Sequence, residues 1–191
     1  MKPFIIITGP QAVGKMAVGM ALQEKFNYRL FHNHMTIEMV VDLYGDLSKD
    51  GFSLVSQLRE SIFNHVVHQD LDGFTFTYMW GFNLESEHAY IDRLIQKFEA
   101  HQWHCTIVEL EADIDTRLHR NRTELRLQHK ATKRNLEWSD KDLVKSMEKY
   151  RLNSHEGEIK HPSYLKINNT HLQPHEVAAL IYEYITGDSS H

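Results

Sequence analysis

Phe4-Ile5-Ile6-Ile7-Thr8 is an uninterrupted β-branched and aromatic run. It predicts a strand buried on both faces, as in a parallel sheet. A glycine-rich turn, Gly9 to Gly14, follows. Beyond it Val18, Met20, Ala21, Leu22 and Phe26 fall at mixed three- and four-residue spacings and predict a helix from about Lys15 to Lys25. Tyr28 to Phe31 reads as a second strand, and 35–45 and 53–71 as helices separated by Gly51. The second helix carries the stripe Leu54, Leu58, Ile62, Val66 and Val67. Gly73 opens a third strand, Phe74 to Met79. Residues 85–101 place Ile91, Leu94, Ile95 and Phe98 on one helical face. Trp103 to Leu110 is a fourth strand, 140–152 a helix, and Tyr164 to Ile167 a fifth strand. Pro174 falls in the first turn of a last helix with Val177, Leu180, Ile181 and Ile185.

Five strands alternating with helices predict an α/β fold with a five-stranded parallel sheet flanked by helices. At 191 residues the expectation is one domain over 1–191, with room for a small inserted lid. The stretch 113–135 stands apart. It lacks a strong apolar stripe and carries Arg117, Arg120, Arg122, Arg126, Lys130, Lys133 and Arg134. Composition narrows the picture further. The net charge of −5 argues against nucleic acid as a partner unless a local basic patch intervenes. The single cysteine, Cys105, excludes an intrachain disulfide and a paired-cysteine zinc site. No apolar run approaches a membrane span and no secretory signal is visible, so a cytoplasmic location without membrane contact is expected.

The chemistry begins at Gly9-Pro10-Gln11-Ala12-Val13-Gly14-Lys15, which matches G-x-x-x-x-G-K between a strand and a helix. Glycines let the backbone curl so that several N–H groups face one anion. The helix N-terminus adds its own N–H groups and positive dipole end. Lys15 then reaches the terminal phosphates as a point charge. A glycine turn with a chance lysine would not need the strand before and the helix after. The next position departs from the motif. Ser or Thr there ligates Mg²⁺, whereas this chain has Met16 and then Ala17, and a thioether is a poor ligand for a hard cation. The third strand also lacks a carboxylate to support a metal. The residues that hold the metal are therefore left unassigned by the sequence.

With these residues the chain resembles the P-loop small-molecule and nucleotide kinases, the shikimate kinase, gluconate kinase and adenylate kinase group. The resemblance rests on the loop at 9–15, the segment 31–38, the arginine-rich stretch 117–134 and the ending Leu165-Lys166-Ile167-Asn168-Asn169-Thr170. It looks closest to shikimate-kinase-like proteins with a G-K-M phosphate loop and an H-N-H-M-T segment. The resemblance implies a P-loop three-layer fold, ATP as phosphoryl donor, Mg²⁺ as its companion, and a helical lid, for which 113–135 is the candidate. Lid arginines would stabilise the transferring phosphoryl group, with Arg120, Arg122 and Arg126 as candidates. A solvated charged hairpin is the alternative reading of that stretch.

Phe31-His32-Asn33-His34-Met35-Thr36-Ile37-Glu38 resembles F-x-D-x-D-x-x-I-E of shikimate-kinase-like enzymes, with His32 and His34 at the aspartate positions. The carboxyl end of a strand in this fold faces the ligand crevice. Neutral imidazole there could take a proton from an acceptor hydroxyl or hydrogen-bond a phosphate; equally, one histidine could cap the helix and the other pack. Replacing both carboxylates argues against shikimate as acceptor. Arg59 matches the region where the resembling kinases grip an acceptor carboxylate, or is a surface arginine beside Glu60. Trp80 and Gly81 fall where the group places its acceptor loop, and Trp80 is either a planar contact for the acceptor or core.

The resulting expectation is an ATP-dependent phosphotransferase with a small-molecule, nucleoside or nucleotide acceptor, bearing a hydroxyl or a phosphate. Gly9 to Ala17 would bind the nucleotide, Lys15 with His34 or His32 and the lid arginines would act in transfer, and His32, His34, Arg59, Trp80 and Gly81 would meet the acceptor. A nucleotide-binding module with little turnover is the alternative, favoured by Met16 and Ala17. End-phosphorylation of nucleic acid is a third reading, disfavoured by the acidic charge. Acceptor identity, ATP against GTP and oligomeric state are open at this level.

Overall fold

The computed structural model describes residues 2–122 and 136–187. The elements run β1 (Lys2–Thr8), α1 (Lys15–Phe26), β2 (Arg29–His32), α2 (His34–Tyr44), α3 (Lys49–Val66), β3 (Phe74–Thr77), α4 (Glu85–Glu99), β4 (Trp103–Glu111), α5 (Ile114–Asn121), α6 (Leu136–Lys149), β5 (Tyr164–Asn168) and α7 (Pro174–Thr186). The strands form one five-stranded sheet in the order β2-β3-β1-β4-β5. Every pairing is parallel; Phe4 aligns with Phe74 on one side of β1 and with Cys105 on the other.

The strand pattern explains the layers. Phe4 to Ile7 are fully buried, and their side chains alternate between two cores. Phe4 and Ile6 join Phe31, Phe63, Phe76, Phe98 and Ile107 on the α3 and α4 face. Ile5 and Ile7 join Val18, Leu22, Val108, Val177 and Ile181 on the α1 and α7 face. This two-sided burial is why β1 is continuously apolar rather than alternating. Phe4 stacks on Phe98, centroids 3.7 Å apart. At the other face Phe26 stacks on Tyr182 at 3.9 Å. All five strands therefore end their carboxyl termini along one edge, where ligands bind in folds of this kind.

Two expected helices have shifted ends. Helix α3 starts at Lys49, not near 53, because Ser48 caps it: its Oγ accepts from the Gly51 N–H at 3.2 Å. Gly51 is thus buried inside the first turn rather than a break. A Cβ there would meet Val40 Cγ1 of α2 at 3.4 Å, an ordinary van der Waals contact. Helix α3 also ends earlier, at Val66. The helix expected at 140–152 runs from Leu136 to Lys149. The candidate lid 113–135 lies only partly within the described residues. Its first part is α5, and 123–135, with Arg126, lies outside them. No helix among the described residues is long and apolar enough to cross a membrane.

Candidate active site

The loop between β1 and α1 has the backbone its glycines allow. Gly9 has φ +130°, and a Cβ there would lie 2.3 Å from the Leu110 carbonyl oxygen. Ala12 at φ 58° and Gly14 at φ 108° are also left-handed. Alternation of this sort turns successive N–H groups toward one concavity. Gly14 precedes α1, and no side-chain cap occupies the start of that helix among the described residues. Its first N–H groups and dipole end therefore face the same concavity. Lys15 arches over the loop, its Nζ donating to the carbonyls of Gly9 at 2.5 Å and Pro10 at 2.7 Å. Met16 and Ala17 are half-buried and line the cleft with Gln11 to Lys15.

Arginines from α5 hold this loop in place. Arg117 is 3% exposed, and its Nε donates to the Gln11 carbonyl at 2.9 Å. One turn later Arg120 Nη1 donates to the Val13 carbonyl at 3.1 Å, and Nη2 to the Asn169 carbonyl at 2.7 Å. Burial lowers the Arg120 pKa from its ordinary value. Asn169, just past β5, also donates its Nδ2 to the Val13 carbonyl at 2.8 Å. Arg120 therefore lies at the loop and lines the cleft, on a helix braced to the fold. Arg122 does not line the cleft; its guanidinium is paired with Asp140 at 2.7 Å.

The cleft at the carboxyl edge of the sheet has a volume of about 1440 Å³. Single-ligand pockets run to roughly 300–1,000 Å³, so the space exceeds what one nucleotide needs. His32 ends β2 and His34 begins α2, and both line the cleft. The turn between them is fixed where the Asn33 N–H donates to Thr77 Oγ1 at 3.1 Å. His34 Nδ1 lies 3.5 Å from Glu38 Oε1, one helical turn on. Arg59 reaches across from α3. Its Nε donates to Thr36 Oγ1 at 3.1 Å and its Nη2 to the Asn33 carbonyl at 3.3 Å. It is a half-buried brace on the histidine turn, not a surface arginine. Burial lowers its pKa, while Tyr90, Tyr78 and Glu87 oppose the shift.

Glu87 of α4 completes this end. It occupies the stripe position one turn before Ile91, and lines the cleft. Burial raises its pKa, while the Tyr78 hydroxyl, the Arg59 charge and the Gly81 N–H pull the other way. Burial likewise raises the phenols of Tyr78 and Tyr90, Tyr90 to about 12. Sequence reading passed over Glu87, although a carboxylate within an apolar stripe was the available signal. Asn169 entered only as part of the ending Leu165 to Thr170, with no role assigned to its side chain beyond the carboxyl end of a strand.

Trp80 requires a correction. It is 4% exposed, does not line the cleft, and stacks on Phe82 with centroids 4.6 Å apart. The Trp80 backbone N–H donates to Thr8 Oγ1 at 3.3 Å, which turns the chain inward and carries the indole into the core. Gly81, beside it, does line the cleft. Glu109, a carboxylate at the end of β4, is committed to the fold. It is fully buried and accepts from Asn153 Nδ2, Ser154 N and Oγ, and Tyr164 Oη at 2.5–2.9 Å. Glu111 pairs with Lys166 at 3.3 Å. Groups of three or more His, Cys, Asp or Glu placed to hold a metal are absent among the described residues. The loop thus fits the phosphates of a nucleotide, but Met16 offers Mg²⁺ no hydroxyl where the motif usually has one.

No protein-family model matches the chain, and no curated protein matches it. Solved structures do. The tunicamycin resistance protein of Deinococcus radiodurans is similar with a TM-score of 0.58 and 16% identity, over 97% of this chain and 96% of that one. A gluconokinase from Sinorhizobium meliloti 1021 gives 0.57 and 12% identity, over 97% and 92%. The shikimate kinase of Acinetobacter baumannii, in complex with shikimate, gives 0.55 and 17% identity, over 100% and 97%. Likeness at these identities is likeness of fold, and this chain has the five-stranded parallel fold of the P-loop small-molecule kinases.

Proposed function

We propose that this protein is an ATP-dependent phosphotransferase acting on a small hydroxyl-bearing acceptor. One observation carries the reading: a phosphate loop with Lys15 at its rim opens into a cleft of about 1440 Å³ whose opposite end is lined by His32, His34 and Arg59. That arrangement suits two ligands meeting end to end. The loop N–H groups and the start of α1 bind the donor phosphates. Lys15 leaves the Gly9 and Pro10 carbonyls and turns to the terminal phosphates. Arg117, Arg120 and Asn169 keep the loop in shape. His32 or His34 accepts the acceptor's hydroxyl proton as its oxygen bonds to the γ-phosphorus and the bond to the ADP oxygen breaks. Arg59 fixes the turn that presents both imidazoles. Mg²⁺, if carried in with the nucleotide, would supply charge neutralisation, and Met16 and Ala17 offer it no side-chain oxygen at the loop.

A nucleotide-binding module with little turnover is the second reading, and Met16 with a carboxylate-free β3 end favours it. Calorimetry and ATP consumption separate the possibilities. Lys15→Ala should remain folded, since the side chain is half-exposed over a loop, and should lose tight ATP binding. Unchanged ATP affinity in that folded variant would remove the phosphate-loop assignment. ATP binding without consumption across a panel of neutral, cationic and anionic acceptors would favour the module.

A further inference from the structure

Resting on that phosphotransferase reading, we propose that the acceptor is a neutral or cationic hydroxyl compound with an apolar body, and not a carboxylate or phosphate ester. The two ends of the cleft differ in charge. Around the phosphate loop stand Lys15 and Arg120, with no carboxylate among the described lining residues there. At the other end Arg59 shares the lining with two carboxylates, Glu87, whose charge acts on it, and the exposed Asp46. Anions are therefore drawn to the donor end and repelled from the acceptor end.

Arg59 does not undo this. Two of its nitrogens are committed to Thr36 and the Asn33 carbonyl, and the Glu87 charge acts on the same guanidinium. An arginine whose charge is already balanced offers an incoming carboxylate little. Glu87 Oε2 is enclosed and makes no hydrogen bond among the described residues, while the Tyr78 hydroxyl and the Gly81 N–H act on the same carboxylate. Such an oxygen is satisfied by a ligand that brings a donor, a hydroxyl or an ammonium, and is made worse by a second anion. Much of the remaining wall is apolar, with Ile37 and Val41 of α2, Leu47, and Phe52 and Val55 of α3, beside Ser56 and Tyr78. Phe52 is 55% exposed, an aromatic surface at the mouth that a bulky acceptor would cover.

The test uses three phenols of one skeleton: tyramine as the cation, tyrosol as the neutral form and 4-hydroxyphenylacetate as the anion. Each is titrated calorimetrically into wild-type protein saturated with the non-hydrolysable donor analogue AMP-PNP. Tyramine and tyrosol should bind about tenfold or more tightly than the anion. In Glu87→Gln the preference of cation over anion should shrink to about threefold or less. Equal or tighter binding of the anion to wild type overturns the proposal, as does binding of none of the three with AMP-PNP in place. An unchanged preference in a folded Glu87→Gln also overturns it. Failure of AMP-PNP itself to bind is a separate result and strikes the phosphotransferase reading on which the proposal rests.

Discussion

Asn169 donates its side-chain amide to the Val13 carbonyl at 2.8 Å, joining the end of β5 to the phosphate loop across 156 positions of sequence. Arg120 Nη1 reaches the same carbonyl at 3.1 Å. A carbonyl tied from behind holds its peptide unit fixed, and with it the N–H groups of the neighbouring units. Asn169 is buried at 3% exposure, so the bond is shielded from water. Asn169→Ala should keep the sheet intact but loosen the loop. The expected loss of ATP affinity is about 1–2 kcal/mol, roughly five- to thirtyfold, read by calorimetry. Full affinity in the variant would mean that Arg120 alone sets the loop.

That bond also marks the limit of what the sequence discloses. β1, the loop and the alternation of strands and helices were legible because each rests on local signals: an apolar run, glycines at fixed offsets, and stripes of period near 3.6. Sheet order and the pairing of Asn169 with Val13 depend on contacts between distant segments, which no local period encodes. Gly51 reads as a break, yet it lies beside Val40 of another helix, inside the first turn of α3. Trp80 was ambiguous for the same reason: the choice between cleft and core is made by Thr8 and Phe82. Glu87 is the opposite case, a polar residue on an apolar stripe that local pattern flags and that only the cleft explains.

Glu109 carries a stability prediction. Burial pushes its carboxyl pKa up, but hydrogen bonds from Ser154, Asn153 and Tyr164 outweigh this and lower it from the ordinary value. The bonds fasten the segment after α6 to the end of β4. A carboxyl with a depressed folded pKa stabilises fully above its unfolded pKa and loses that contribution as pH falls through the folded one. Glu109→Gln should therefore cost about 2–4 kcal/mol near neutral pH, a drop in Tm of roughly 5–15 °C. The gap between wild type and variant should close only in the acid range. Chemical denaturation at neutral and acid pH checks both points, and a gap that is constant across that range would contradict the assigned role.

Arg59→Lys tests the brace on the histidine turn. Lysine keeps one positive charge but lacks the planar fork that reaches Thr36 Oγ1 and the Asn33 carbonyl together. Nucleotide affinity should stay within about twofold, because the phosphate loop is untouched. Acceptor-dependent turnover should fall roughly ten- to hundredfold, since a catalytic group displaced by about 1 Å loses on that order. Parallel loss of ATP affinity would show that the turn and the loop are coupled.

Met16→Ser tests the metal. Met16 is half-buried and lines the cleft, so it is not a core residue beneath the loop, and its replacement by serine removes little packing. The new hydroxyl would stand where the loop motif usually presents a ligand to Mg²⁺. Hard cations favour oxygen over sulfur. The Mg²⁺ concentration needed for half-maximal ATP binding should therefore fall in the variant. Metal-free ATP binding should change less, because Lys15 and the backbone of 9–14 are unaltered. Titration of Mg²⁺ at fixed ATP, in wild type and variant with thermal stability measured alongside, reads the difference. If turnover rises together with Mg²⁺ affinity, the missing hydroxyl limits the wild-type reaction. If Mg²⁺ dependence is unchanged in a stable variant, position 16 does not govern the metal, and the low-turnover reading loses the residue that most favours it.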